Sequence, residues 1–214
     1  MSKSYFLDKF PIPVWEWSRQ LGAIFYKQPH RAEDFARSFS KNQFVAKTWA
    51  LEVLQTIDAP ELDDNPVFTI AGSWYGTIFV PLMKYIWGYN TRINLVDFDE
   101  GALRVAGELH GMHFIKHFHM DLNWDMHRLK KIKTDILINT SMEHMYPWTD
   151  ISFGGKLCVF QSNNFITDHA HINCSETLED FVEQMNMDEV LYQGEIPFHD
   201  YDDEHKRFMV IGRK

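Results

Sequence analysis

From residue 67 to the carboxyl terminus, short apolar runs alternate with stretches whose apolar residues return at helical spacing. Val67–Ile70, Ile93–Val96, His113–His119, Asp135–Asn139 and Lys156–Gln161 are too short for typical helices and predict five strands. Thr77–Trp87 carries Ile78, Leu82, Tyr85 and Ile86 on one face, and Glu100–His110 carries Ala102, Ala106 and Leu109. Both predict amphipathic helices, with Pro81 tolerable only near the start of the first. Leu178, Phe181, Val182 and Met185 recur at i, i+3, i+4, i+7 behind a capping Ser175 or Thr177, a third helix. Val190–Ile196 and Arg207–Ile211 close the pattern as two strands with only a charged loop between them, so they pair antiparallel. The whole predicts an α/β fold: a Rossmann-like doubly wound sheet, mostly parallel, with helices on both faces and a terminal antiparallel strand pair.

Residues 1–60 have a different texture. Pro11 and Pro13 break the opening stretch, a helical pattern surrounds Arg31–Ser38, and Ala46, Trp49, Ala50 and Val53 form a clear amphipathic stripe. The polar, proline-ended segment Glu61–Pro66 reads as a linker. The expected division is therefore a helical extension over 1–60 and an α/β domain over 61–214. Trp15, Trp17, Phe25, Tyr26, Phe35, Phe44 and Trp49 give the extension aromatic surface, either for a lid over a bound acceptor or for packing.

Composition narrows the function classes. A net charge of −9 disfavours a phosphate-backbone binder, so nucleic acid is not expected as a partner. Cys158 and Cys174 are too few for a disulfide framework. No basic-then-apolar leader and no long uncharged apolar window is found, so a cytoplasmic protein without membrane contact is expected. The histidines, including His110, His113, His117, His119, His169 and His171, lack the paired spacing of a closed zinc site, and no metal is expected.

The chemistry begins at Ala71-Gly72-Ser73-Trp74-Tyr75-Gly76, where the first strand turns through glycines into a helix. Such a turn lets a ligand approach backbone closely. The wide glycine spacing and the bulk of Trp74 and Tyr75 suit a pyrophosphate poorly, which ranks a nicotinamide dinucleotide last. The second strand ends in Asp97-Phe98-Asp99, an acidic tip suited to ribose hydroxyls.

Taken with the order of elements, these residues resemble the class I S-adenosylmethionine-dependent methyltransferases over roughly residues 60–214. Ala71 and Ser73 stand where that family often has an acidic residue and a second glycine. The resemblance implies S-adenosylmethionine as cofactor. Gly72, Ser73, Trp74, Tyr75 and Gly76 would face its methionine portion, Asp97 and Asp99 its ribose, and Asp121 with Leu122 its adenine. Asn139 and Thr140 open the segment Asn139-Thr140-Ser141-Met142-Glu143-His144, where cofactor and acceptor meet in that family. Glu143 and His144 are the general-base candidates there, with Asn139 as an orienting group. Asn163 and Asn164, after the fifth strand, are candidates for holding the acceptor. The Asn139–Met142 segment does not read as the Asp/Asn-Pro-Pro-Tyr/Phe motif of amino-methylating nucleic-acid enzymes, so the acceptor expected is a small molecule. The alternatives are a noncatalytic S-adenosylmethionine-binding scaffold or sensor, and an aminopropyl transferase of the same fold.

Overall fold

The computed structural model describes residues 14–59, 62, 64–198 and 204–214. Pro11 and Pro13 lie outside the described residues, as do the side chains of Trp15 and Trp17. Strands β1 (Val67–Ala71), β2 (Arg92–Asp97), β3 (Ile115–His119), β4 (Ile136–Asn139), β5 (Leu157–Asn163), β6 (Glu189–Pro197) and β7 (Lys206–Arg213) form one sheet in the order β3-β2-β1-β4-β5-β7-β6. The first five strands run parallel, each joined to the next by a crossover. β7 inserts between β5 and β6, antiparallel to both.

Alternate residues of the strands feed two separate cores. Phe68, Ile70, Leu95, Ile138, Val159 and Ile211 face one side, with Ala50, Leu51 and Leu54 from α3 (Lys41–Leu54) and Leu82 and Met83 from α4 (Phe79–Trp87). Val96, Leu137, Phe160 and Phe208 face the other, with Trp148 and with Phe181 and Met185 of α7 (Leu178–Met185). Apolar residues on both faces explain why β1, β4 and β5 are buried along their full length. Thr69, in the middle of β1, is satisfied by Thr134 and Asn94.

Two elements start two residues later than the pattern predicts. α4 begins at Phe79, because Pro81 is then its third residue and the Thr77 hydroxyl bonds to Ser38. β3 begins at Ile115, because Phe114 takes a left-handed turn (φ 64°) just before it. The described amino-terminal helices, α1 (Val14–Lys27), α2 (Ala32–Arg37) and α3, are packed against the α/β portion. Phe35 is buried with Tyr75 and Val105, the latter on α5 (Glu100–His110), while Phe44 and Trp49 lie against the α3 side of the sheet. Tyr26 is exposed. No helix among the described residues is long and apolar enough to cross a membrane.

Helix α7 starts at a reciprocal cap: the Thr177 hydroxyl accepts from Asp180 N, and the Asp180 carboxylate accepts from Thr177 N. Thr177→Ala is expected to lower stability by about 1 kcal/mol and Thr177→Ser to retain most of it, measured by urea denaturation.

Candidate functional site

The strand order reverses between β1 and β4, and open α/β sheets hold ligands at the carboxyl ends of strands beside such a reversal. There β1 runs into the glycine turn, where Gly72 (φ 67°), Trp74 (φ 51°) and Gly76 (φ 63°) are all left-handed. Glycine adopts this conformation freely, whereas Trp74 needs external support. Asp97, the last residue of β2, supplies it: Oδ2 accepts from Trp74 N at 2.6 Å and Oδ1 from Asp99 N at 2.9 Å. Burial pushes the Asp97 carboxyl above its usual range, against the pull of these two N–H donors. A Cβ on Gly72 would lie 3.0 Å from Met145 Cε, so the turn also depends on glycine for close packing.

The amino-terminal helices hold the same turn from outside. Asp34 of α2 accepts from Trp74 Nε1 at 3.1 Å and from the Tyr75 hydroxyl at 2.6 Å. Arg31 grips Asp99 with both guanidinium prongs, at 2.7 and 2.8 Å, and holds that carboxyl below its usual range. Asp99 also caps α5 by accepting from Ala102 N. The Tyr75 ring is fully buried, its hydroxyl pushed up to about 12 by burial and then by Asp34. His110, which burial pushes down to about 4, donates from Nε2 to Tyr75 O at 2.9 Å.

Beyond β4 and β5 lies a buried charged cluster. Glu143, in a 3-10 turn at Met142–His144, accepts on Oε1 from Asn163 Nδ2 at 2.8 Å and pairs with Arg207 Nη1 at 3.6 Å. Asn163 and Arg207 are register partners across β5 and β7, which sets this arrangement. Lys47 of α3 is buried and donates to Gln43 Oε1 at 2.7 Å. Burial first, then the Arg207 charge, push its amine down to about 7, against the attraction of Glu143 and Asp97. The sheet interior here thus balances two carboxylates against a guanidinium and an amine.

The remaining predicted residues fall around this frame. Asn139 is fully buried, with Oδ1 accepting from Ser141 N and Nδ2 donating to Met145 Sδ. Thr140 is buried, and its carbonyl accepts from Arg207. His144 is exposed, with Nδ1 on Ala170 O. Asn164 uses its amide on Glu204 O and Lys206 N, tying β5 to β7. Asp121 is exposed and accepts from Asn123 N, while Leu122 is buried in the α7-side core. Exposed rings of Phe98, Trp124 and Tyr146 follow β2, β3 and β4 in turn, and Trp124 meets Tyr146 edge-on at 5.7 Å. Sequence reading missed Arg31, Asp34, Lys47 and Arg207. Only Arg207 carried a local sign, a charge opening an otherwise apolar strand. A cavity of about 660 Å³ lies elsewhere, lined by the first residues of β1, β2 and β3, so cavity volume does not mark this site.

No protein-family model and no curated protein sequence matches the chain. Solved structures do. The Burkholderia thailandensis 1,6-didemethyltoxoflavin-N1-methyltransferase, bound to 1,6-didemethyltoxoflavin and S-adenosylhomocysteine, has a TM-score of 0.56 at 13% identity, over 93% of this chain and 89% of that one. An S-adenosylmethionine-dependent methyltransferase from Anabaena variabilis has a TM-score of 0.56 at 15% identity, over 81% and 86%. The N-methyltransferase NodS from Bradyrhizobium japonicum, with S-adenosylhomocysteine, has a TM-score of 0.55 at 11% identity, over 82% and 89%. The chain has the fold of class I methyltransferases, and at these identities the likeness is one of fold.

Lys47 gives this region a pH signature. A folded amine near 7 against an ordinary value of about 10.4 means the unfolded chain binds more protons between those limits, so this residue's contribution rises with pH there. Lys47→Met is expected to be more stable than the parent at pH 7, with the gap narrowing toward pH 10, read from paired denaturant melts.

Proposed function

We propose that the protein is an S-adenosylmethionine-dependent methyltransferase for a small-molecule acceptor. Residues 61–214 would hold the cofactor, and residues 1–60 would lie across the acceptor side. The observation that carries this reading is the Asp97 carboxylate fixed beside the Gly72–Gly76 turn at the strand-order reversal. Each Asp97 oxygen accepts one described N–H bond, and its further lone pairs suit the paired hydroxyls of a ribose. The buried Ser73 hydroxyl has no hydrogen-bond partner among the described residues, which fits a polar ligand group at the turn. Phe98 offers an exposed ring beside Asp97, and Asp121 an acceptor, both suited to an adenine.

S-adenosylmethionine bound there supplies a methyl group already activated on a sulfonium. The chain then has to align an acceptor and keep water away. In this reading Asn139 fixes the turn after β4, Asn163 fixes Glu143, and His144 takes a proton from the acceptor through Nε2. Asn164 holds the β5–β7 junction that carries Arg207. The guanidinium of Arg207 and the amine of Lys47 beside Glu143 disfavour a polyamine, and with it aminopropyl transfer. The small acceptor bound by the Burkholderia thailandensis neighbour and the net charge of −9 both support a small molecule over nucleic acid.

S-adenosylhomocysteine is expected to raise the melting temperature, by an amount equivalent to about 2.7 kcal/mol at one hundred times its dissociation constant. Asp97→Ala should abolish the rise, with Asp97→Asn as the milder variant if alanine unfolds the turn. No shift at millimolar ligand would overturn the cofactor assignment.

A further inference from the structure

We propose that Glu143, His144 and His171 form a binding site for a divalent transition-metal ion, zinc by preference, at the carboxyl end of β4 and β5. One ligand atom from each side chain lies within 4.8 Å of the other two. A tetrahedral ion with ligands at about 2.1 Å separates neighbouring ligand atoms by about 3.4 Å, so the side chains would close on it by roughly an ångström. The sequence hid this set, because Glu143 and His144 leave β4 whereas His171 comes from the segment after β5.

Three observations make this a prepared site and not a chance cluster. First, Glu143 is 3% exposed, and its Oε2 is buried with no hydrogen-bond partner among the described residues. Oε1 is occupied by Asn163 and Arg207, so the carboxylate is oriented with Oε2 left over. A buried bare carboxylate oxygen is costly, and an ion would satisfy it.

Second, each imidazole is held by the same device. His144 Nδ1 meets Ala170 O at 2.9 Å, and His171 Nδ1 meets Phe165 O at 2.6 Å. A carbonyl oxygen only accepts, so each Nδ1 carries a proton, and in the neutral ring Nε2 is then the atom with the lone pair for a metal. This backbone-carbonyl tie is the usual support of a metal-ligating histidine.

Third, the two segments are clamped. Glu143 O accepts from both Ile172 N and Asn173 N, which fixes the two histidines relative to each other. Their ring centroids lie 4.7 Å apart.

Two imidazoles and one carboxylate suit zinc and its neighbours in the first transition row, whereas magnesium and calcium favour oxygen ligands throughout. Burial runs inward from exposed His144 through His171 to buried Glu143, which leaves a path for the ion. Asp168 Oδ2 stands 4.0 Å from His171 Nε2, a second carboxylate at the rim of the cluster. Three protein ligands leave a tetrahedral ion one open position. A bound ion takes up the His144 Nε2 lone pair. In the methyl-transfer reading the ion therefore replaces His144 as the group that eases loss of the acceptor proton, by lowering the pKa of a hydroxyl at the open position. The site itself does not rest on that reading; this use of it does.

The test is a titration of tag-free, chelator-dialysed full chain with Co²⁺, followed by displacement with Zn²⁺. The expected result is visible d–d absorption of four- or five-coordinate cobalt, saturating at about one equivalent and lost as zinc is added. His144→Ala and His171→Ala should each weaken binding at least tenfold without moving the far-ultraviolet circular dichroism. His169→Ala, two residues from His171 and outside the set, should leave binding unchanged. Absence of the cobalt bands in the parent chain, or their persistence at parental affinity in both variants, would overturn the site. A chain that binds cobalt but gives no melting shift with S-adenosylhomocysteine keeps the metal site and loses the methyl-transfer reading; the reverse result does the opposite.

Discussion

The hydrogen bond from Trp74 N to Asp97 Oδ2 is the constraint on which the rest of the site depends. A tryptophan in a left-handed conformation between two left-handed glycines is strained, by roughly 1–2 kcal/mol. The bond offsets that strain and, in the same act, fixes the first strand's exit to the tip of the second. Several long-range contacts converge on the same turn. Asp34 bonds the Trp74 indole and the Tyr75 hydroxyl, His110 bonds the Tyr75 carbonyl, and Arg31 bonds Asp99 two residues beyond Asp97. The amino-terminal helices are therefore anchored at the carboxyl-end edge of the sheet, beside the strand-order reversal.

A second constraint sits a strand away. Burying Glu143 with Arg207 costs desolvation that their attraction only partly returns, so the pair contributes arrangement more than stability. What it arranges is the orientation of one carboxylate, with Asn163 as its neutral third member. Arg207 also lies 5.1 Å over the Phe198 ring, so its planar group is fixed on both sides. The local polarity is at odds with the apolar strands that carry it, and natural sequences break their own patterning mainly at such places.

The strands and their direction were legible in the sequence because both faces of the sheet are covered. Ile136–Ile138 is continuously apolar and Val67–Ile70 is broken only by Thr69, and such runs announce themselves. Asp97 and the glycine turn were legible too, since strand ends and left-handed positions restrict residue type. Their partners were not. Arg31 to Asp99 and Asp34 to Tyr75 span 68 and 41 residues, and an arginine or aspartate on a helix looks the same whether it faces water or a turn. Lys47 was masked by its own stripe: it stands beside Ala46 on α3, and periodicity marks the apolar neighbour without showing that the amine is buried. Distance along the chain groups His171 with His169, whereas the fold groups His171 with residues from another strand's exit.

Gly101 lies in the first turn of α5, a position where glycine weakens a helix and alanine would serve it better. Yet a Cβ there would overlap the Arg31 guanidinium, which lies flat against the backbone on its way to Asp99. The glycine is a seat cut into the helix for a side chain from another part of the chain. A change at position 101 would thus reveal itself far from its own helix, in how firmly the amino-terminal segment stays closed over the sheet. Two stretches of sequence that share no motif are, at this point, one mechanical part.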